Sequence, residues 1–330
     1  MVSGGKLIIA ILLIASTAMA ATNLKQDAGL EEGRRAYEAS DYVKAVQALQ
    51  AAAAKEPQNG DVQLLLVKSY LELQEHDPAI KSAEKAVAID AQNSVYHEWL
   101  GRAYGEKADH TSLFSAMSLA KKTRKQFETA VQLDERNYSA RQALIEFDCS
   151  GTGMVGGGEE KALPQIKQLA EMDAAEGHYA AGNCRRHRKD FPAADEEFKK
   201  ALESNPKSAE LIYDIGDHAL KRSQPEQLLR VADLGERVAP GDPRGKFYRG
   251  AALVLKKENP EEAERLLEEY AKKGPMREGY PRPAAGHVWL GRLFEEQNRM
   301  EDATKEFERA LRLDPKNKMA QEALKRLKKS

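Results

Sequence analysis

The stretch HVWLGRLFEEQNRMEDATKEFERALRLDP, residues 287–315, limits the possible fold more than any bulk property of the chain. Leu290, Gly291 and Phe294 fall on one face of a first helix, and Ala303, Phe307 and Ala310 on one face of a second. Pro315 has no backbone N–H and a ring that blocks the preceding turn, so it ends the second helix. Two short amphipathic helices cannot bury their apolar faces by themselves. Such a unit has to stack against others like it.

The same phase recurs upstream. Residues 26–59 carry Gly33, Ala45, Leu49, Ala52 and Pro57 at the matching places, and residues 60–93 carry Leu66, Tyr70, Ala79, Ala83 and Ala86. Residues 175–208 carry Gly182, Ala194, Phe198, Ala201 and Pro206. Residues 209–242 carry Ile215, Gly216, Ala219 and Pro240, and residues 244–277 carry Gly250, Ala251, Ala263, Leu267 and Pro275. Two further units depart from the pattern. The one at 94–137 starts with Trp99, Leu100, Gly101 and Tyr104, but an insert then delays Phe127 and Ala130, which predicts a longer loop and an extended start to its second helix. The one at 138–174 is interrupted by the glycine-rich SGTGMVGGG. After the unit at 284–317, the segment 318–330 reads as an amphipathic cap with Met319, Ala320, Ala323, Leu324 and Leu327 inward and lysines and arginine outward.

This pattern resembles the tetratricopeptide repeat (TPR), whose consensus places a large residue, Leu-Gly and Tyr/Phe at positions 4, 7, 8 and 11, Ala, Phe/Tyr and Ala at 20, 24 and 27, and Pro at 32. The resemblance covers residues 24–330 and implies an all-α, right-handed superhelical solenoid of about eight TPR helix hairpins with a C-terminal capping helix. It further implies a concave groove lined by positions 2, 5, 9 and 12 of each first helix, where a peptide or partner segment binds. Projected on this chain, position 9 gives Arg34, Lys68 and Arg102, position 5 gives Tyr179, Tyr213 and Tyr248, and Asn183 is a further position 9. The expected groove is therefore basic in its N-terminal half and aromatic with polar tips in its C-terminal half. The Lys/Asn pair of chaperone-tail-binding members is absent, since Leu30 and Arg34 stand at those positions in the first repeat.

Bulk properties narrow the function. Lys+Arg 51 nearly balances Asp+Glu 52, which gives no basic excess for duplex binding, and a hydrophobic fraction of 42% argues against disorder. Residues 1–20 combine Lys6, an apolar run from Leu7 to Ala15, and Ala18-Met19-Ala20, the layout of a secretory signal peptide cut after Ala20. Retention of this segment as an N-terminal anchor stays open. The expected location is periplasmic or secreted, where Cys149 and Cys184 could form one disulfide or remain two buried thiols.

No motif for chemistry stands out. The insert with Gly151, Gly153, Gly156, Gly157 and Gly158 lacks the preceding strand and the Gly-Lys-Ser/Thr of a nucleotide loop, and reads as a connector. His76, His97, His110, His178, His187, His218 and His287 form no metal-binding spacing and are expected mostly on solvent faces. Arg185, Arg186, His187, Arg188 and Lys189 either offer an anion patch or complement a helix C-terminus. The expectation is a non-enzymatic scaffold or adaptor of the bacterial cell envelope, with no cofactor, metal or nucleic acid and with a protein or peptide partner. A carrier for an anionic polysaccharide is the alternative, and an enzyme sited at the glycine insert a distant third.

Overall fold

The computed structural model describes residues 28–151, 153–277 and 279–328; the expected signal peptide lies outside them. Among the described residues the regular structure is helical, and the chain divides into two compact units. One unit runs to Phe147 and includes Gly151–Gly157; the other holds Asp148–Ser150 and everything from Gly158 onward.

The first unit contains α1 (28–38), α2 (Tyr42–Lys55), α3 (Gly60–Glu72), α4 (His76–Ile89), α5 (Ser94–Asp109), α6 (Leu113–Leu133) and most of α7 (Tyr138–Ser150), followed by a 3-10 turn at Gly153–Val155. The second contains α8 (Glu159–Met172), α9 (Ala174–His187), α10 (Phe191–Glu203), α11 (Ala209–Lys221), α12 (Pro225–Val238), α13 (Pro243–Lys256), α14 (Pro260–Lys273), α15 (Pro283–Glu296), α16 (Met300–Leu313) and α17 (Lys318–Leu327). In each unit the two helices of a repeat pack as a hairpin, α3 on α4 and α5 on α6 in the first, α9 on α10 and α15 on α16 in the second.

Local chemistry explains the helix ends. The residue closing one repeat caps the first helix of the next: Asn59, Asn93, Asn137, Ser208, Asp242 and Asn317 each accept a backbone N–H of the turn they start. Between the two helices of a hairpin, a left-handed residue turns the chain at Ser40, Gln74, Lys189, Ser223 and Asn298, all at the same place in the repeat. None is glycine, so each site carries the steric cost of a Cβ in that conformation.

Packing within a hairpin depends on glycine at position 8. A Cβ on Gly101, Gly182 or Gly291 would lie 2.6, 2.5 or 2.6 Å from the ring of Phe127, Phe198 or Phe307 on the second helix. The helices close over this contact, and the apolar side chains collect in separate clusters. One cluster includes Leu49, Val67 and Leu100 in the first unit; another includes Phe198, Phe247, Leu267 and Phe307 in the second.

The insert in the 94–137 repeat extends the start of the second helix, as expected, but does not lengthen the loop. Only residues 110–112 separate α5 from α6, and the added residues are built into longer helices, 16 residues in α5 and 21 in α6. Its Ala-, Leu- and Lys-rich composition favours helix over an open loop.

Candidate partner-binding face

In the first unit, the first helices α3 and α5 lie side by side and present position 9 of their repeats together. Lys68 of α3 holds its ammonium 4.7 Å from the ring centroid of Trp99, and the Arg102 guanidinium lies 5.4 Å from the same ring. Arg102 is anchored at its base: Nε donates to Glu98 Oε1 at 3.0 Å, Nη2 donates to Ser139 Oγ at 3.0 Å, and the Ser139 hydroxyl donates to Glu98 Oε1 at 2.6 Å. Glu98 is buried, so one carboxylate fixes both groups. Burial lowers the Lys68 pKa; Glu98 opposes this, while Arg102 and Arg34 add to it by repulsion. Arg34 is half exposed and pairs with Glu31 at 3.2 Å.

The structure thus brings Lys68 and Arg102 together on one partly exposed indole, with Arg34 near enough to act on Lys68 electrostatically. Trp99 is not among the groove positions that the repeat consensus projects. Its signal is a repeated tetrapeptide, Trp-Leu-Gly-Arg, at 99–102 and at 289–292. In the second copy Arg292 lies 4.0 Å from the Trp289 ring, but that indole is 4% exposed. Only the first copy leaves the ring accessible.

The C-terminal tyrosines require a correction. Tyr213 and Tyr248 are 1% and 0% exposed and stack on each other at 5.8 Å inside the core, not on an open face. Tyr248 donates its hydroxyl to Asp217 at 2.6 Å, and Tyr179 donates to Asp214 at 3.0 Å. Burial, reinforced by these carboxylates, raises the pKa of both phenols far above the ordinary value. Asn183 is also buried, next to Tyr179. The groups that reach the surface here are the carboxylates held by the tyrosines, and Arg186 pairs with Asp214 at 3.1 Å. Position 5 turns inward because the neighbouring repeat covers it.

The remaining candidates are also placed. Cys149 and Cys184 are joined, with Cα atoms 5.3 Å apart. Gly151 and Gly157 touch backbone to backbone, and Gly158 N–H donates to Asp148 O at 2.9 Å. The helix that follows starts with Glu159 and Glu160, which would repel a phosphate. In the basic run, Arg186 is paired as above and Arg188 meets Glu159.

The histidines correct the expectation of solvent faces. His97 and His218 are buried, and three histidines are bonded across their own hairpins, His97 to Gln126, His178 to Glu197 and His287 to Glu306 at 2.7 Å, while His218 bonds Asp195 of the preceding repeat at 2.6 Å. Among the described residues no group of three or more His, Cys, Asp or Glu could hold a metal ion, and no helix is long and apolar enough to cross a membrane.

Comparison with known proteins places these repeats. Tetratricopeptide repeat models match residues 36–102, 160–209 and 248–318. Anaphase-promoting complex subunit 7 of Arabidopsis thaliana is 32% identical over 137 residues, 40% of this chain; the chain spans 22% of that protein's length. Among solved structures, a thermophilic TPR protein of Thermus thermophilus has a TM-score of 0.45 at 14% identity, covering 69% of this chain and 99% of its own. A tetratricopeptide repeat protein of Parabacteroides merdae has a TM-score of 0.42 at 17% identity, covering 92% and 98%. With matches in both units, the chain is a member of the tetratricopeptide repeat family.

Proposed function

We propose that this protein is an interaction scaffold of the bacterial cell envelope, exported by its N-terminal segment, that binds an acidic partner segment through Arg34, Lys68, Trp99 and Arg102. The supporting observation is the accessible Trp99 ring flanked by two cations. An aromatic surface with guanidinium and ammonium groups offers both contact area and pairing for carboxylates. Repeat proteins of this family bind other proteins, and the Arabidopsis thaliana relative is by name a subunit of a complex. The reading assigns no catalytic role to the glycine insert.

The test is photo-crosslinking from positions 68, 99 and 102 in the native compartment, with captured species identified by mass. A discrete protein that is lost with Arg34→Glu, Lys68→Glu and Arg102→Glu supports the proposal. Capture unchanged by those substitutions refutes the site. Capture of glycan alone, abolished by salt, transfers the function to an anionic polysaccharide.

A further inference from the structure

The second helices of the other repeats run 13 or 14 residues, whereas α6 runs 21. The extra length projects from its hairpin. Gly101 faces Phe127 and Gly105 faces Thr123, so the antiparallel register sets Asp109, the last residue of α5, opposite Leu119. Residues 113–118 lie beyond that level, about 9 Å of helix. Leu119 packs against the core cluster of the first unit. Leu113 and Phe114, at the free end, are 74% and 88% exposed, more than any other large apolar side chain among the described residues.

Charge along this helix is graded. Residues 111–120 carry none, in a chain that is 31% charged. Lys121, Lys122, Arg124 and Lys125 then follow, and the first acid of α6 is Glu128, which pairs with Arg124. Phe114, Ser118, Lys121 and Lys125 recur at helical spacing on one exposed stripe, while Thr123 and Phe127 are buried on the opposite side. Lys122 lies 5.1 Å from the Tyr104 ring, and Lys121 and Lys125 have no carboxylate partner among the described residues. The neighbouring acids belong to other helices. Glu106 and Asp109 of α5 stand by the same register at the level of the lysines, not of the tip, and Asp77 of α4 is neutralised by Lys107.

We infer that the start of α6 docks this protein on an anionic phospholipid surface, with Leu113 and Phe114 among the upper acyl chains and Lys121, Lys122 and Lys125 at the phosphates. From Phe114 to Lys121 the helix rises about 10 Å, which matches the depth that apolar side chains reach in an interface. The lysine stems extend along the helix while their ammonium groups stay with the headgroups. A narrow apolar tip on a projecting, uncharged stem needs a matching socket in a folded partner, whereas a bilayer interface accepts it without one. The contact is interfacial, since six residues fall far short of the roughly 20 that a span needs. None of Arg34, Lys68, Trp99 and Arg102 takes part, so this inference stands apart from the partner-binding proposal.

The experiment is flotation of the chain from Ala21, which keeps every described residue and lacks the apolar N-terminal run, with vesicles of phosphatidylglycerol and phosphatidylcholine and, separately, of phosphatidylcholine alone. Binding is expected to the charged vesicles, about tenfold or more tighter than to the neutral ones, and falling with salt. Leu113→Ser with Phe114→Ser should weaken it by about tenfold or more, with an unchanged melting temperature because both side chains are exposed. Lys121→Gln with Lys125→Gln should weaken binding to the charged vesicles by about tenfold or more and leave the melting temperature unchanged. Phe114→Trp should keep binding, and its emission, taken as the difference from the parent, should move to shorter wavelength on vesicles. Failure to float with charged vesicles, equal binding to both kinds, binding that survives the paired serine substitutions, or an unmoved Phe114→Trp emission overturns the inference.

Discussion

At the scale of single residues, close approach and protonation decide the most. Gly182 sits where any side chain would press into Phe198, at 2.5 Å for a Cβ. Gly182→Ala is expected to destabilise the second unit by about 1–3 kcal/mol, measured by urea denaturation, because an overpacked interior must shift its rings or backbone. His218 offers a pH test. Burial lowers its pKa below the ordinary 6.5, although Asp195 pulls the other way. The unfolded chain therefore takes up the proton first as pH falls, so this contribution is complete above about pH 6.5 and declines below it. The melting temperature should drop between about pH 7.5 and about pH 5, and drop less in His218→Gln, which keeps a donor for Asp195 but does not titrate. Charge and polarity alone suggest exposure for the histidines; the acceptor that holds each of these four lies 19 to 29 positions away.

At the scale of elements, Arg244 ties three segments of the second unit together. It is 2% exposed, forms a bidentate pair with Glu210 of α11 at 2.7 and 2.9 Å, and meets Asp242 at 2.8 Å. Its guanidinium lies 4.3 Å from the Tyr213 ring and 4.1 Å from the Tyr280 ring, and donates to Gly279 O at 3.2 Å. Through these contacts the segment between α14 and α15 is fixed to α11 and α13. Burial lowers the pKa of this guanidinium, but hydrogen bonds to Glu210 and Asp242 outweigh that and raise it. Arg244→Gln would leave Asp242 uncompensated at 10% exposure, at a cost of about 3 kcal/mol. The low end of the range applies because Glu210, 72% exposed, can be hydrated again. Circular dichroism melting would register the loss, and limited proteolysis should cut first within residues 274–282.

At the scale of the whole chain, two apolar clusters make two reporters possible. Trp99 belongs to the first unit and Trp289 to the second. In single-tryptophan variants, Gly182→Ala should shift the urea transition seen by Trp289 more than that seen by Trp99, since repeat arrays couple mainly to their neighbours. The link between Cys149 and Cys184, both residues of the second unit, closes a loop with a sequence separation of 35. Such a loop is expected to contribute about 4 kcal/mol by restricting the unfolded chain. Dithiothreitol should therefore lower the melting temperature, and identical melting with and without it would mean that the chain carries two thiols.

The amino-acid sequence alone determined the helical hairpins, their phase and their ends, because spacing of apolar residues, capping side chains and prolines act over a few neighbouring positions. Arg34, Lys68 and Arg102 were legible as a series for the same reason. Only the tertiary structure decided which faces stay open: it buried Tyr213 and Tyr248, joined Lys68 and Arg102 over Trp99, and left Leu113 and Phe114 projecting beyond α5. Periodicity tells which residues share one side of a helix, but whether a neighbour covers that side depends on side chains brought together from another repeat.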